Sequence, residues 1–325
     1  MRTEPAELFP QIVGQARAKR RLKFYLDGYN ASNVIPHLMF IAPKGCGKTM
    51  LAKAVGKHLV LKDDRDKTKP FLEINCSTIK SVKQLFNQII IPHVNQKECT
   101  ILFDEASELP KDVTMALLTV LNPNASNRTS FSVEDYVCDF DFSMQSFIFA
   151  TTEAQHIFHA LMDRCERIDL EEYTYDELAQ IMRRVLPDIN FEVTALDSLA
   201  SVLRGNARAA QKMAMNVSTY LASRDKGIFA RSDWEYLKHH LAILPLGLSP
   251  IELQVLRFLD GRKYCSLTYL AAKTGLTKSC LQRDFEMYLQ KHNLMEITTE
   301  GRAITAKGKK YLQKFDKSEK DLEKS

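Results

Sequence analysis

One segment constrains this chain more than any other: residues 42–49 read Ala-Pro-Lys-Gly-Cys-Gly-Lys-Thr, between an apolar run and an amphipathic helical pattern. A glycine-rich turn between a buried strand and a helix directs backbone N–H groups at a phosphate. The lysine of such a turn adds a positive charge, and the following threonine offers a hydroxyl to Mg²⁺. We therefore predict a P-loop whose nucleotide-binding residues are Pro43, Lys44, Gly45, Cys46, Gly47, Lys48, Thr49 and Met50.

The loop departs from the usual pattern at Ala42, which stands where the first glycine is expected. Alanine lacks only the freedom of glycine at positive φ, so the loop is compatible with alanine if residue 42 is extended. Within the loop, Cys46 lies at a helix amino terminus beside Lys48, which favours a thiolate. Two interpretations of Cys46 stay open: a reactive thiol that ATP protects from alkylation, or an inert small side chain.

A second acidic motif follows the apolar residues 101–103, where Asp104 and Glu105 end a predicted strand. In a P-loop ATPase such a pair divides the work. Asp104 holds Mg²⁺ through water, together with Thr49, and Glu105 polarises the attacking water. Acidic residues often end strands at a protein surface without a catalytic role. The strand and helix between Lys48 and Asp104 favour the catalytic interpretation.

Four short apolar runs predict strands, at residues 37–42, 70–75, 100–105 and 146–152. Longer amphipathic stretches lie between them, and this alternation is typical of a parallel α/β sheet. After residue 172 the strand signal ends and four helical patterns follow. Residues 245–250 contain two prolines and a glycine and predict a linker. Beyond them, three helical patterns and two short strands indicate a winged helix. The predicted domains are an ATPase core (1–172), a helical lid (173–244), a winged helix (245–313) and a polar, disordered tail (314–325).

The formal net charge of +5 has an uneven distribution. The winged segment carries the whole excess and the remainder is balanced, which is suggestive of nucleic-acid binding. Phosphate contacts are expected from its lysines and arginines, foremost Lys278, Arg283 and the wing residue Arg302. Many winged helices bind proteins instead, and that alternative stays open.

The seven cysteines form no C-x-x-C pair and suggest neither a disulfide framework nor a zinc site. The sequence has no apolar stretch long enough for a membrane span and no signal peptide at its start. A reducing cytoplasm is the expected location.

With these motifs placed, the chain resembles the AAA+ ATPases, and within them the RuvB family of Holliday-junction branch-migration motors. Residues 9–15 resemble the family's entry motif, whose backbone at Ile12 and Val13 lies against the adenine. Residues 147–152 are similar to the sensor 1 strand, which implies that Thr152 reads the γ-phosphate. Residues 163–165 resemble the arginine-finger motif, and residues 204–208 resemble sensor 2. The resemblance implies that Arg164 acts on a neighbouring subunit's ATP and that Arg208 contacts the γ-phosphate. Without the family, either arginine is equally well a solvated or locally paired charge.

Residues 286–295 and 300–306 also follow the pattern of the family's winged domain. The resemblance implies a ring, usually a hexamer, that hydrolyses ATP with Mg²⁺ and drives branch migration or helicase-type translocation on branched or duplex DNA in recombination and repair. It also implies lid rotation on loss of the γ-phosphate, which moves the winged domains along the duplex. The catalytic residues in this interpretation are Lys48, Asp104, Glu105 and Arg164.

One region does not follow the family. Residues 122–145 occupy the place of a hairpin that docks on RuvA, but their sequence differs. Phe131, Val133, Tyr136 and Val137 are either a docking surface for a RuvA-like or other adaptor, or the buried face of two strands, which we favour slightly. Two other functions stay open: a clamp-loader-like or initiator-like switch in replication, and a non-hydrolysing scaffold that binds a protein partner.

Overall fold

The protein was analysed as a computed structural model that describes residues 8–121, 128–133 and 136–322. Its contacts divide the chain into two compact units. The first comprises Met1–Leu186 and Gly205–Met215, and the second comprises Pro187–Arg204 and Asn216–Ser325. The residues expected to form the lid, 173–244, are therefore shared between the two units.

The first unit is an α/β structure in which helices and parallel strands alternate. Its elements are α1 (Ala16–Ser32), β1 (Leu38–Ile41), α2 (Lys48–Gly56), β2 (Phe71–Asn75), α3 (Val82–Leu85), a π-helical segment (Phe86–Val94), β3 (Thr100–Asp104), α4 (Lys111–Val120), β4 (Arg128–Val133), β5 (Tyr136–Asp141), β6 (Ser146–Thr151), α5 (His159–Met162), β7 (Glu166–Asp169) and α6 (Tyr175–Val185).

Five strands form one parallel sheet in the order β2-β3-β6-β1-β7. Strands β1 and β6 are buried along their whole length, since both faces of the sheet are covered by apolar side chains. The four strands expected from apolar runs are confirmed, while β7 was missed. Only Ile168 of β7 is buried, so the strand leaves no apolar run in the sequence.

Strands β4 and β5 form an antiparallel hairpin, as the length of residues 122–145 allowed. Phe131 of this hairpin is partly buried: its ring centroid lies 4.5 Å from that of Phe86 and 6.0 Å from that of Phe140. This packing supports the buried-face interpretation for Phe131. The side chains of Val133, Tyr136 and Val137 lie outside the described residues.

The second unit begins with helices and one short pair of parallel strands. These elements are β8 (Asn190–Phe191), α7 (Val193–Ala200), the carboxyl-terminal part of α8 (Ala207–Ala222), β9 (Ile228–Phe229) and α9 (Arg231–His240). Together with α6, helices α7 to α9 are the four that the helical patterns predict. Trp234 and Phe229 are buried and provide the aromatic part of this core.

The remainder of the second unit has the predicted winged-helix arrangement. It contains α10 (Pro250–Asp260), α11 (Leu267–Thr274), α12 (Lys278–Cys280), a π-helical segment (Leu281–Glu286), α13 (Met287–Lys291), the antiparallel strands β10 (Met295–Thr298) and β11 (Gly301–Ile304), and α14 (Ala306–Leu322). A cluster of buried leucines, including Leu256, Leu270 and Leu289, forms its core.

The disordered tail predicted from residue 314 was wrong as far as Leu322, because α14 continues to that residue. Two contacts account for the continuation. Phe315 is partly buried against the winged core, and Arg257 forms an ion pair with Asp316 at 3.1 Å. Composition identified the polar character of this segment but not the apolar contacts made by its first turns.

No helix within the described part of the chain is long and apolar enough to cross a membrane.

Candidate nucleotide site and winged-helix surface

The predicted P-loop connects the end of β1 to the start of α2 in a conformation that requires glycine. Gly45 has a φ of 80° and Gly47 a φ of 91°, which L side chains rarely adopt. A Cβ on Gly45 would overlap the side chain of Asn206, and one on Gly47 would lie 3.0 Å from the Tyr173 hydroxyl. Both the backbone conformation and the neighbouring side chains therefore exclude larger residues at positions 45 and 47.

Ala42 is compatible with this loop. Ala42 does not have a positive φ. Its N–H donates to the Thr151 carbonyl at 3.3 Å, so residue 42 continues the pairing of β1 with β6. Because the residue does not have a positive φ, the replacement of glycine introduces no strain of that kind. Ala42 is therefore compatible with the observed conformation of the loop.

Lys48 is buried within the loop that it serves. Only 7% of the residue is exposed, and its ammonium donates to the carbonyls of Ala42 at 3.0 Å and Pro43 at 3.3 Å. Burial lowers the pKa of Lys48, and the nearby carboxylates of Glu105 and Asp104 act in the opposite direction. The ammonium is thus already positioned over the loop, where a phosphate would replace backbone carbonyls as its partner.

The P-loop and the acidic strand meet through one side-chain hydrogen bond. The hydroxyl of Thr49 donates to Oδ2 of Asp104 at 2.8 Å, and Oδ1 of Asp104 accepts the N–H of Glu105 at 3.0 Å. Glu105 has a φ of 56°, a strained value for glutamate. The structure therefore brings together the four residues expected at the catalytic centre of one subunit: Lys48, Thr49, Asp104 and Glu105.

A hydroxyl beside a single carboxylate is compatible with Mg²⁺, which keeps several waters and uses few protein ligands. Among the described residues there is no group of three or more histidine, cysteine or acidic side chains that would hold a more fully ligated metal.

Asn206 joins the P-loop to the start of α8 within the first unit. Its Nδ2 donates to the Lys44 carbonyl at 3.1 Å, and its Oδ1 accepts the N–H of Ala209 at 3.0 Å as a helix cap. The N–H of Ala207 adds a bond of 3.0 Å to the Gly45 carbonyl. These bonds fix the exposed Arg208 near the loop, close enough for its charge to act on Lys48.

Sequence reasoning did not include Asn206 or Tyr173 among the site residues. The Tyr173 hydroxyl donates to the Cys46 carbonyl at 3.3 Å, and its N–H donates to the Gly205 carbonyl at 3.1 Å. The only available signal was Asn206 before a helical pattern, which indicates a helix cap. Tyr173 gave no local signal, because its partner lies far away in the sequence.

The thiol of Cys46 does not have the accessibility that a reactive cysteine needs. Cys46 is 1% exposed and belongs to the same apolar cluster as Ile12 and Leu51. The reactive-thiol prediction is therefore not supported, and the inert interpretation fits the burial.

Within residues 9–15, the side chains of Phe9, Ile12 and Val13 are buried, and Phe9 and Ile12 belong to the same apolar cluster as Cys46 of the loop. Ile12 and Val13 are 4% and 5% exposed, so a nucleotide would meet their backbone. The Gln15 side chain fixes this segment: its Nε2 donates to the Glu171 carbonyl at 2.7 Å, and its Oε1 accepts the Glu171 N–H at 3.0 Å.

Thr151, the last residue of β6, and Thr152, which follows it, have different environments. Thr151 is fully buried, and its hydroxyl donates to Oγ of Ser107 at 3.1 Å. Thr152, the predicted γ-phosphate sensor, follows it and is half-buried. Pro43, Lys44 and Met50 are exposed residues of the P-loop and the start of α2.

Arg164 lies just after α5. One terminal nitrogen of its guanidinium donates to the Ala160 carbonyl at 2.9 Å, while its Nε is buried without a partner in the described part of the chain. These contacts are made within its own subunit, so the expected action in a neighbouring subunit stays a prediction.

The winged helix separates its predicted DNA contacts into two groups. Lys278 and Arg283 are exposed near the start of the third helical region, where Arg283 also forms an ion pair with Asp284 at 3.2 Å. Arg302, in contrast, is directed inward. Its Nε and one terminal nitrogen donate to Glu286 at 2.8 and 3.1 Å.

This placement of Arg302 disfavours the prediction that it contacts DNA. The side chain of Arg302 is 12% exposed and that of Glu286 is 1% exposed, so this two-bond ion pair belongs to the core of the wing. A guanidinium that left Glu286 for a phosphate would strand a buried carboxylate, which is costly.

Comparisons with known proteins agree with both parts of this architecture. The family profile described as "ATPase family associated with various cellular activities (AAA)" matches residues 38–173, and the profile "RuvB C-terminal winged helix domain" matches residues 245–313.

Similar curated proteins carry the name Holliday junction branch migration complex subunit RuvB. The one from Neorickettsia sennetsu is 24% identical over 93% of this chain and 90% of its own length. The one from Prochlorococcus marinus (strain MIT 9215) is 28% identical over 94% and 86%.

Among solved structures, a mutant of Thermotoga maritima RuvB has a TM-score of 0.75 at 22% identity, covering 96% of this chain and 99% of that one. The structure titled Thermotoga maritima RuvB Holliday junction branch migration motor has a TM-score of 0.74 at 22% identity, covering 93% and 95%. These likenesses show the fold.

Proposed function

Because this chain is a RuvB-like AAA+ ATPase, we propose that it is the motor subunit of a ring that uses ATP to drive Holliday-junction branch migration or translocation on duplex DNA. The observation that carries the proposal is the continuity of the site. Thr49 contacts Asp104, Asn206 ties the same loop to α8, and the same chain continues into a winged helix of the RuvB type.

The proposed binding step uses the P-loop backbone and two side chains. The N–H groups of residues 44–49 hold the β- and γ-phosphates at the amino terminus of α2, and Lys48 exchanges backbone carbonyls for phosphate oxygens. Thr49 and Asp104, which share a hydrogen bond, are the residues that would hold Mg²⁺, Asp104 through water. When bound, Mg²⁺ neutralises charge on the phosphates and ATP supplies the phosphoryl group.

The proposed hydrolysis step places Glu105 as the group that orients water and accepts its proton at the carboxylate. Arg208 and Thr152 respond to the γ-phosphate in the same subunit. Arg164 of one subunit stabilises the negative charge in the site of the next, so a ring, usually a hexamer, is needed for turnover.

The proposed DNA contacts are to phosphates through Lys278 and Arg283, both exposed on the winged helix. The domain organisation we propose is a core (1–172), a lid (173–244) and a winged helix (245–313). The profile matches over residues 38–173 and 245–313 support the end of the core and the bounds of the winged helix. A RuvA-like or other adaptor is the proposed partner, and the cytoplasm is the proposed location.

The experiment that tests this function is the steady-state ATPase rate with branched DNA, with linear duplex DNA and without DNA. Glu105→Gln and Arg164→Ala should each lower turnover by at least about 100-fold, since each removes transition-state stabilisation. A mixture of the two variants should regain part of the activity, because mixed rings contain sites with an intact Glu105 and an intact neighbouring Arg164.

Arg167→Ala is the matched control, since Arg167 is an exposed arginine three residues away that pairs with Asp169. It should leave turnover nearly unchanged. Hydrolysis that ignores DNA would reassign the winged helix to a protein partner. DNA-stimulated hydrolysis in bursts, without movement of a junction, would indicate a clamp-loader-like switch.

A further inference from the structure

Arg204 stands at the point where the chain passes from the second unit to the first. It is the last residue of the segment Pro187–Arg204, and Gly205 is the first residue of Gly205–Met215. Both have left-handed backbone conformations, with φ values of 56° and 67°. Two consecutive residues of this kind make a sharp bend, and such a conformation in arginine persists only when its surroundings impose it.

The side chain of Arg204 is held within the second unit by the winged helix. Its two terminal nitrogens donate to the two carboxylate oxygens of Glu252, each at 2.9 Å. The side chain of Glu252 is 0% exposed, so its charge depends on this partner and on the N–H of Ser249, which lies 2.7 Å away. A planar guanidinium matches this geometry and lysine does not.

Tyr288 completes the enclosure of Arg204. Its ring centroid lies 3.5 Å from Cζ of Arg204, which is a cation–π contact. Its hydroxyl donates to the Leu246 carbonyl at 2.6 Å, in the linker that precedes α10. Arg204 is thus bound by α10 through Glu252 and by α13 through Tyr288.

The linker is also packed tightly against the segment before Arg204. A Cβ on Gly247 would overlap the Val202 carbonyl oxygen, and Gly247 has a φ of 66°. The backbone of residue 247 is therefore packed directly against the backbone of residue 202, with no room for a side chain between them. The end of this segment is therefore bound by side chains of the winged helix and by the backbone of the linker that precedes it.

The other end of the same short segment is fixed to the nucleotide loop within the first unit. Asn206 donates to the Lys44 carbonyl, and Ala207 donates to the Gly45 carbonyl. Only Gly205 separates Asn206 from Arg204. Its room is limited as well, since a Cβ at residue 205 would lie 2.9 Å from Cβ of Glu172.

We propose that Arg204 is a positioning residue that transmits the nucleotide state of the P-loop to the winged helix. This role of Arg204 rests on the proposed function and connects the ATP site with the winged helix through named residues. A change at Lys44 or Gly45 moves Asn206, and the chain carries that movement through one residue to Arg204. The Arg204–Glu252 ion pair and the Tyr288 contact then pass it to α10 and α13.

The link is tested by hydrogen–deuterium exchange of the full chain, with and without a slowly hydrolysed ATP analogue and Mg²⁺. In the parent, the analogue should slow exchange in the P-loop and change exchange in α10 by at least about fivefold, the lower end of typical coupling between sites. In Arg204→Met, protection of the P-loop should persist, while the change in α10 should disappear.

The matched control is Arg302→Met. This substitution also breaks a two-bond ion pair with a buried glutamate, but Arg302 and Glu286 both lie inside the winged helix. It should keep the response of α10. Arg204→Lys and Arg302→Lys, which leave a positive charge beside each glutamate, provide the same comparison if a methionine variant fails to fold.

Loss of the response in both variants would reduce Arg204 to a stabilising contact and overturn the proposal. An α10 that ignores nucleotide while the parent's P-loop becomes protected would overturn it too. The exchange measurement requires nucleotide binding but not movement of DNA. If the protein binds nucleotide and moves no junction, the motor function is refuted, while the exchange data still test the role of Arg204.

Discussion

At the scale of single residues, this chain uses arginine in two ways that sequence alone does not separate. Arg302 and Arg204 each form a two-bond pair with a buried glutamate, whereas Arg283 is exposed. Burial of the partner decides the role, because a buried carboxylate holds its arginine strongly. Exposed lysines and arginines such as Arg283 are the phosphate contacts that we propose.

Replacement of Arg302 by alanine should therefore destabilise the winged helix by about 3–5 kcal/mol, the cost of leaving a buried glutamate unpaired. Chemical denaturation measures this cost.

Lys278→Ala should leave stability nearly unchanged but weaken DNA binding and reduce the slope of log affinity against log salt by about one. An Arg302 variant with normal stability and a reduced salt slope would return Arg302 to the DNA surface.

His37, just before β1, gives the chain a pH-dependent stability. Burial lowers its pKa from 6.5 to about 4, and its Nδ1 has no partner among the described residues. The unfolded chain binds a proton below its own pKa of 6.5, while the folded chain does not until about pH 4. Stability is complete above pH 6.5 and falls as the pH decreases toward 4.

Between about pH 7.5 and pH 5, this difference should remove about 2 kcal/mol from the free energy of unfolding. His37→Phe keeps a ring against Phe147, which lies 5.5 Å away between ring centroids, and should lose less stability over the same range. Denaturant titrations of both proteins at the two pH values provide the measurement. Parallel losses in the two proteins would assign the effect to other groups.

At the scale of elements, α14 extends the winged helix beyond the residues that its family profile matches. Leu312 on this helix is 4% exposed and belongs to the winged core. An apolar residue in a segment that is otherwise rich in lysine is a weak sequence signal, yet its burial anchors the helix.

Leu312→Ala should lower the stability of the winged helix by about 2–5 kcal/mol, through lost burial and the cavity that remains. Lys310→Ala, an exposed position on the same helix, should change it by less than about 0.5 kcal/mol. Both values come from denaturant unfolding followed at winged-helix signals. Equal, small effects would mean that α14 is not anchored to the core.

At the scale of the whole molecule, the chain forms two compact units, and the predicted nucleotide contacts lie in the first. A ligand that binds only the folded form of one unit raises chiefly the stability of that unit. Lys48, Thr49, Asp104 and Arg208 all belong to the first unit.

Differential scanning calorimetry should therefore resolve a transition that shifts upward with an ATP analogue and Mg²⁺. At about 100 times the dissociation constant, the gain should be about 2.7 kcal/mol. A second transition, the one that Arg302→Ala lowers, should shift much less, since the proposed Arg204 link passes only part of the effect to the second unit. A single transition that shifts as a whole would show that the two units unfold together.

The sequence by itself determined the features that depend on near neighbours in the chain. The P-loop, the acidic strand end, four of the five parallel strands and the winged-helix pattern all follow from local spacing and apolar period. The departure at Ala42 could also be considered from the sequence, since its acceptability depends on its own backbone conformation, and the residue does not have a positive φ. These features are local because the turn, the helix start and the strand are adjacent in sequence.

Only the tertiary structure decided the features that depend on distant partners. Arg302 pairs with a glutamate 16 residues away and Arg204 with one 48 residues away, and neither pairing leaves a periodic trace. The burial of Cys46, the short strand β7 and the contact of Asn206 with the P-loop were decided in the same way. The physical reason is common to all: a side chain's charge and size are written in the sequence, but its exposure and its partner exist only after distant segments pack together.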